Sequence, residues 1–163
     1  MRRLIYLTAS LMLVSLVGCE KYGLDRQMEE LCKKDGGLKI YETVKLPRSA
    51  FDATGYLRRQ DKSDPSEPLT THSILSGGEF SITREITVIK AGDPFTGDGA
   101  GFISQGRLER FYTVVMRTDN QKILGSAVSY GRAGGGFSLG HPDSKSCPAI
   151  GTNLPEAIFK QGS

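Results

Sequence analysis

A chain of 163 residues supplies one ordinary domain and falls short of two comfortable ones. Hydrophobic residues at 38%, charged residues at 24% and 20 glycines describe a folded body and exclude a disordered tail. A formal charge of +3 with no basic stripe argues against nucleic acid as a partner, and no apolar run approaches the roughly 20 residues of a membrane-spanning helix.

The chain opens with Arg2 and Arg3, followed by an apolar stretch from Leu4 to Val17 softened by Thr8, Ala9, Ser10 and Ser15. That order suits a signal peptide. Its end, Leu16-Val17-Gly18-Cys19, resembles the bacterial lipobox, in which a small residue precedes a cysteine that is acylated before cleavage. The resemblance implies a lipoprotein signal peptide over 1–18, a lipidated Cys19 with a short tether over 19–24, and a single α+β domain over 25–163. It implies palmitate as the modification and the cell envelope as the location. Glu20, where an Asp would resemble an inner-membrane retention signal, leans toward the outer membrane facing the periplasm. Residues 163 less 18 leave 145, and loss of Arg2 and Arg3 leaves 19 basic against 18 acidic side chains, so the body is close to neutral.

With Cys19 taken for lipid, Cys32 and Cys147 remain as a pair in an oxidising compartment. The expectation is a disulfide, against the alternative of two buried thiols. A short helix is expected from Asp25 to Lys34, with Asp25 as N-cap, Met28, Leu31 and Cys32 on one face, and Asp35-Gly36-Gly37 as its stop. Leu38 to Leu46 alternates as one half-buried strand ending at Pro47. Ser49 to Leu57 fits either a turn of helix or a loop, and Arg58 to Pro68 reads as an exposed charged loop. Phe80 to Lys90 has period two and predicts a strand, followed by a long glycine-rich loop over Ala91 to Gly106.

Arg107–Thr118 and Gln121–Arg132 form the best hairpin, turning on Asp119-Asn120 and placing Met116 opposite Ile123. Apolar residues on both its faces predict a central place in the sheet. Ala133 to Pro148 reads as loop, and Leu154 to Phe159 as a short helix with Pro155 in its first turn. The sum is α+β: an antiparallel sheet of about four strands with a short helix near each end.

Three elements, Cys32-Lys33-Lys34-Asp35-Gly36-Gly37, Tyr41-Glu42-Thr43-Val44 and Ser144-Lys145-Ser146-Cys147-Pro148, resemble a group of small bacterial envelope lipoproteins. The resemblance implies no activity and agrees with pairing the two cysteine-bearing elements.

No arrangement in the sequence nominates a catalytic residue, a metal-ligand set or a cofactor. His72 and His141 lie in polar stretches without zinc spacing. Gly97-Asp98-Gly99-Ala100-Gly101 lacks the following helix of a phosphate cradle. Asp93 and Asp98 do not make a calcium loop, and Asp61, Asp64 and Glu67 sit in the charged loop, where no cleft would raise a carboxyl pKa. The run Gly134-Gly135-Gly136 permits close backbone approach to a ligand, or merely a wide turn toward Cys147. The leading expectation is a lipid-anchored, non-enzymatic interaction or structural module with a possible envelope-protein partner. The alternatives are an anchored enzyme or small-ligand carrier with a loop-built site, and an accessory lipoprotein of a mobile element.

Overall fold

The computed structural model describes residues 20–62, 64, 66–93, 104–136, 143–148 and 153–162. Residues 20–35 are helical (α1). Among the described residues nine strands follow: β1 (Gly37–Ile40), β2 (Val44–Leu46), β3 (Arg59–Lys62), β4 (Thr70–Leu75), β5 (Phe80–Lys90), β6 (Arg107–Arg117), β7 (Ile123–Ala133), β8 (Ser144–Cys147) and β9 (Phe159–Gln161). A five-residue helix, α2 (Leu154–Ile158), precedes β9. The class is α+β, with a mostly antiparallel sheet of seven strands in the order β1-β7-β6-β5-β4-β3 and β8 also on β7. β2 and β9 form a separate parallel pair.

The sheet has seven strands, not four, because β3, β4 (in a stretch with no expected element) and β8 join the four expected, the first of which is cut short. Leu38–Leu46 breaks in two because the N–H groups of Tyr41 and Glu42 both donate to Leu124 O (2.9 and 3.1 Å), which ends β1 and turns the chain toward β9. Ile40, expected on the buried side, is 44% exposed. The charged stretch from Arg58 supplies β3, whose four residues are all exposed, which is why its pattern reads as loop. β8 lies within the stretch expected as loop and pairs Ser144–Cys147 with Tyr130–Ala133. β5 has the expected bounds, and β6 and β7 lie inside the sheet. The turn between them spans 118–121 in place of two residues: Arg117 N–H donates to Lys122 O at 2.9 Å, the bond that the facing of Met116 with Ile123 requires.

The chain divides into two compact units, to which β5, β6 and β7 each give one end. One holds, of the described residues, 20–34, 88–93, 104–109 and 130–136 with 143–147. Its buried apolar residues, among those described, are Leu24, Met28, Cys32, Leu108, Tyr130 and Ala133. Two cross-links supplement them. Cys32 on α1 is bonded to Cys147 on β8, with Cα atoms 6.0 Å apart. Arg132, 1% exposed, bonds through Nε to Asp25 Oδ1 (2.8 Å), through Nη1 to the carbonyls of Gly134 (2.9 Å) and Asp143 (2.8 Å), and through Nη2 to Asp143 Oδ2 (3.3 Å). A buried guanidinium without such partners would cost several kcal/mol.

Asp25 is therefore not an N-cap. Its carboxylate turns to Arg132, and α1 is already helical at Glu20, so the expected tether over 20–24 is part of the helix. Leu24 and Met28, four apart and both buried, extend the packed face to the N-terminal side of Asp25. Glu20 pairs with Lys90, and Lys21 with Asp143. Lys145 reaches Glu29 at 2.7 Å, and the pair holds the Glu29 carboxyl below and the Lys145 ammonium above its ordinary value.

The other unit holds residues 35–87, 110–129 and 148–163, of which 149–152 and 163, like 63 and 65, lie outside the described set. Its core is conventional: Leu46, Leu75, Phe80, Ile82, Val115 and Leu124 pack with Leu154, Ile158 and Phe159. Phe80 and Phe159 meet edge to face with centroids 4.9 Å apart. α2 lies flush on β7 because position 125 is glycine: a Cβ there would stand 2.8 Å from Ile158 Cδ1 and 2.9 Å from Lys39 O.

The bridge closes a separation of 115 residues. In the chain-entropy picture, a loop that long restricts the unfolded chain by about 4–5 kcal/mol, and reduction of natural bridges costs about 2–5 kcal/mol. Urea unfolding of the protein with and without reductant should therefore differ by about 2–5 kcal/mol. The unfolded, unreduced protein should show no alkylatable thiol at Cys32 or Cys147.

Candidate functional site

Among the described residues, the face of the second unit's sheet that carries the core is only partly covered. Along β4, Leu75 packs in the core, whereas Ser73 and Thr71, on the same face by the two-residue repeat, line a groove of about 370 Å³. β5 repeats the pattern with Phe80 and Ile82 in the core and Arg84 in the groove, and β6 with Val115 and then Thr113. Arg59 and Asp61 of β3 and Ala127 and Ser129 of β7 complete the floor, and Asn153 to Pro155 at the start of α2 form one wall. Five strands thus place alternating polar side chains on one open surface.

Two arginines and one acid set the electrostatics of this surface. Asp61 Oδ1 accepts from Ser73 Oγ (2.6 Å) and pairs with Arg59 Nε (3.2 Å). Ser73 is 7% exposed, so its hydroxyl is satisfied by Asp61. Arg84 places its guanidinium over the Phe111 ring, 5.1 Å from the centroid. Its charge has no ion-pair partner among the described residues.

Beside the groove, residues 50–58 form a small rigid projection. Phe51 and Leu57 make an isolated antiparallel bridge, and Arg58 N–H donates to Ala50 O at 2.9 Å. At the tip, Asp52 Oδ1 accepts from Thr54 N–H (2.9 Å), Thr54 Oγ1 (2.6 Å) and Tyr56 N–H (3.0 Å). Gly55 takes φ +87°, a left-handed conformation that side chains resist, so the chain can reverse there. The result holds Tyr56 outward, 57% exposed. The Thr54 hydroxyl, and behind it the surrounding N–H groups, keep the Asp52 carboxyl below its ordinary value.

The residues singled out from the sequence fall elsewhere. Cys19, His141 and Gly97–Gly101 lie outside the described residues. His72 is on strand β4 and not in a loop, exposed, with Nδ1 3.2 Å from Thr83 Oγ1 and Nε2 3.7 Å from Glu67 Oε2. Asp64 closes a local turn by accepting from Ser66 N–H (2.8 Å) and Oγ (2.7 Å), and of the three loop acids only Asp61 reaches the groove. Among the described residues no cluster of His, Cys, Asp or Glu could hold a metal, and no helix is long and apolar enough to cross a membrane.

The glycine run at 134–136 approaches its own chain. Gly134 N–H donates to Asp143 O (2.9 Å), Gly135 N–H to Ser104 O (3.1 Å), and Ser104 N–H to Gly136 O (3.1 Å). At Gly134, φ is +67° and a Cβ would lie 2.7 Å from Gln105 O, which leaves no alternative to glycine.

Sequence reading missed Arg59, Arg84 and Tyr56. The usable signal was the alternation Thr71, Ser73, Leu75 against Thr70, His72, Ile74, which marks one mixed face once β4 is recognised. No family model matches the chain, and neither does any curated protein or solved structure.

Because folding depresses the Asp52 pKa, the turn's contribution is fully present above the unfolded value near 3.8 and is lost as pH falls through the folded value. The tyrosine resonances of Tyr56 should stay constant from about pH 7 to about pH 5 and shift toward unfolded positions below about pH 4. In Asp52→Ala they should be displaced already at neutral pH, with no acid transition of their own.

Proposed function

We propose that this is a lipid-anchored envelope protein of bacteria, attached through Cys19, whose body is a binding module that receives its ligand in the strand-built groove of Arg59, Asp61, Thr71, Arg84 and Thr113. The observation that carries the binding reading is the interrupted core face. The same side of β4, β5 and β6 that is apolar under α2 continues as an open row of hydroxyls and guanidiniums, and α2 stops short of it. A face that no element among the described residues covers, yet supplied with convergent polar groups from five strands, has the composition of a recognition surface. The anchor reading rests on the lipobox resemblance and is compatible with a bridged Cys32–Cys147 pair.

An interaction module is favoured over an anchored enzyme on the groove's chemistry. Its hydroxyl nearest to an acid, Ser73, donates a hydrogen bond to Asp61, and among the described residues no imidazole lines the groove to serve as a base. The described histidine, His72, stands beside Thr83 and Glu67 in solvent.

One labelling experiment on cells tests both halves. Radiolabelled palmitate should enter the wild type and be absent from Cys19→Ser; undiminished label in that variant ends the anchor reading. A photo-crosslinking amino acid at Thr113 should trap an envelope component that is lost with Arg84→Glu. At Gln60, on the opposite face of β3, it should trap none. Equal products at Thr113 and Gln60 end the binding reading.

A further inference from the structure

The groove does not end at its polar floor. A second cavity of about 420 Å³ adjoins it, and Arg59, Asn153 and Pro155 line both. Phe51, Tyr56 and Leu57 of the rigid projection form one wall of this second chamber, and Leu75 and Phe159 contribute apolar surface from β4 and β9. Each chamber falls in the size range of small-molecule sites, roughly 300–1,000 Å³. One chamber is polar and carries two guanidiniums against one carboxylate; the other sets Phe51, Tyr56, Leu57, Leu75 and Phe159 beside the polar Glu156, Lys160 and Gln161. Arg59 stands where they meet.

We propose that the joined chambers bind a single-chain anionic amphiphile, with its carboxylate or phosphate head on Arg59 and Arg84 and its apolar tail over Tyr56, Leu57 and Phe159. The proposal rests on the reading of the groove as the binding surface and is independent of the anchor at Cys19.

Charge and polarity select this class. In the polar chamber a cation would meet both guanidiniums with only Asp61 in compensation, and Asp61 is already engaged by Ser73 and Arg59; in the second chamber the acid Glu156 is matched by Lys160. A wholly polar anion would leave the aromatic wall in water, and a wholly apolar ligand would strip water from two charged groups without replacing it. Arg59 uses Nε for Asp61, which leaves the two terminal nitrogens of its fork for an anion. Arg84, held on Phe111, adds a second charge on the same floor, and Thr71, Thr113 and Ser129 bring hydroxyl donors. Tyr56 supports the tail reading independently. The turn that carries this ring, itself left 57% exposed, is fixed by three bonds to one carboxylate, one of them from the Tyr56 backbone N–H, an investment in rigidity that solvent contact alone does not explain.

The test uses the full chain in phosphatidylcholine nanodiscs and a dodecanoic acid carrying a chain diazirine, with the matching alcohol as control. After illumination, the acid should label peptides covering 51–57 and 153–161 about tenfold above the alcohol, the factor carried by one charge-assisted hydrogen bond. Joint Arg59→Gln and Arg84→Gln should reduce acid labelling to the alcohol's level, whereas Asp61→Asn should raise it. Unlabelled dodecanoate and dodecyl phosphate are competitors that rank the two heads, and competition by either supports the site. Equal labelling by acid and alcohol, label confined to other peptides, or insensitivity to the arginine changes overturns the proposal. The crosslink from Thr113 does not involve the probe. A trapped component at Thr113 together with equal labelling by acid and alcohol would therefore reject the amphiphile and keep the binding surface.

Discussion

A single buried guanidinium organises the part of the molecule that begins at α1. Arg132 sits near the end of β7 with its donors distributed over Asp25 of α1, the carbonyl of Gly134 and both the carbonyl and the carboxylate of Asp143. Each partner belongs to a different stretch of chain, and each would otherwise keep its water. A cation so placed cannot tolerate loss of these acceptors, because the desolvation cost of an unpaired buried charge is several kcal/mol. The geometry of the surrounding backbone follows. Asp143 must lie against the strand end, Gly134 must turn back within hydrogen-bonding distance, and Gly134 and Gly135 then fit the backbone of residues 104–106, with no room for a Cβ at Gly134. The disulfide performs the covalent part of the same task by tying α1 to β8. Both devices add to the apolar packing of Leu24, Met28, Leu108 and Tyr130 in that unit.

The second unit uses the opposite economy. Its core is apolar, held by Phe80, Phe159, Ile158 and Leu154 across sheet and helix, and it needs no bridge. What it leaves over is a face. Because α2 has only five residues, it shields one end of the inner sheet surface, and the strands continue beyond it with Ser73, Arg84 and Thr113 in place of leucine and valine. The groove is therefore a consequence of a short helix on long strands, and its chemistry is set by which residues occupy alternate positions beyond the helix. The Asp52 turn adds an aromatic edge that the sheet itself does not supply.

Which parts were legible in the sequence follows from where the information lies. β5 and the hairpin of β6 and β7 show clean local patterns, and Leu154 to Ile158 shows Pro in its first turn, so local rules suffice for them. β3 was hidden because an edge strand with four exposed residues has no apolar alternation to show. β8 was hidden among glycine, serine and proline for the same reason. The start of α1 was misplaced by a long-range effect: Asp25 has the right identity for a cap, but a partner 107 positions away takes its carboxylate. The groove needed β3 and β4 side by side before Arg59 and Asp61 could be seen next to Ser73 and Arg84. No pattern within one segment contains that adjacency.

Hydrogen exchange on Arg132→Met tests the organising role of the buried guanidinium most directly, since methionine keeps much of the volume and removes the charge. If Arg132 fixes the backbone around it, the amides of Ser104, Gly134 and Gly135 should lose protection by about a hundredfold or more, while Ile86, bonded to Leu69 O at 2.7 Å in the other unit, keeps its own. Unchanged protection at Gly134 and Gly135 would show that apolar packing and the disulfide suffice, and would contradict the central place given to Arg132.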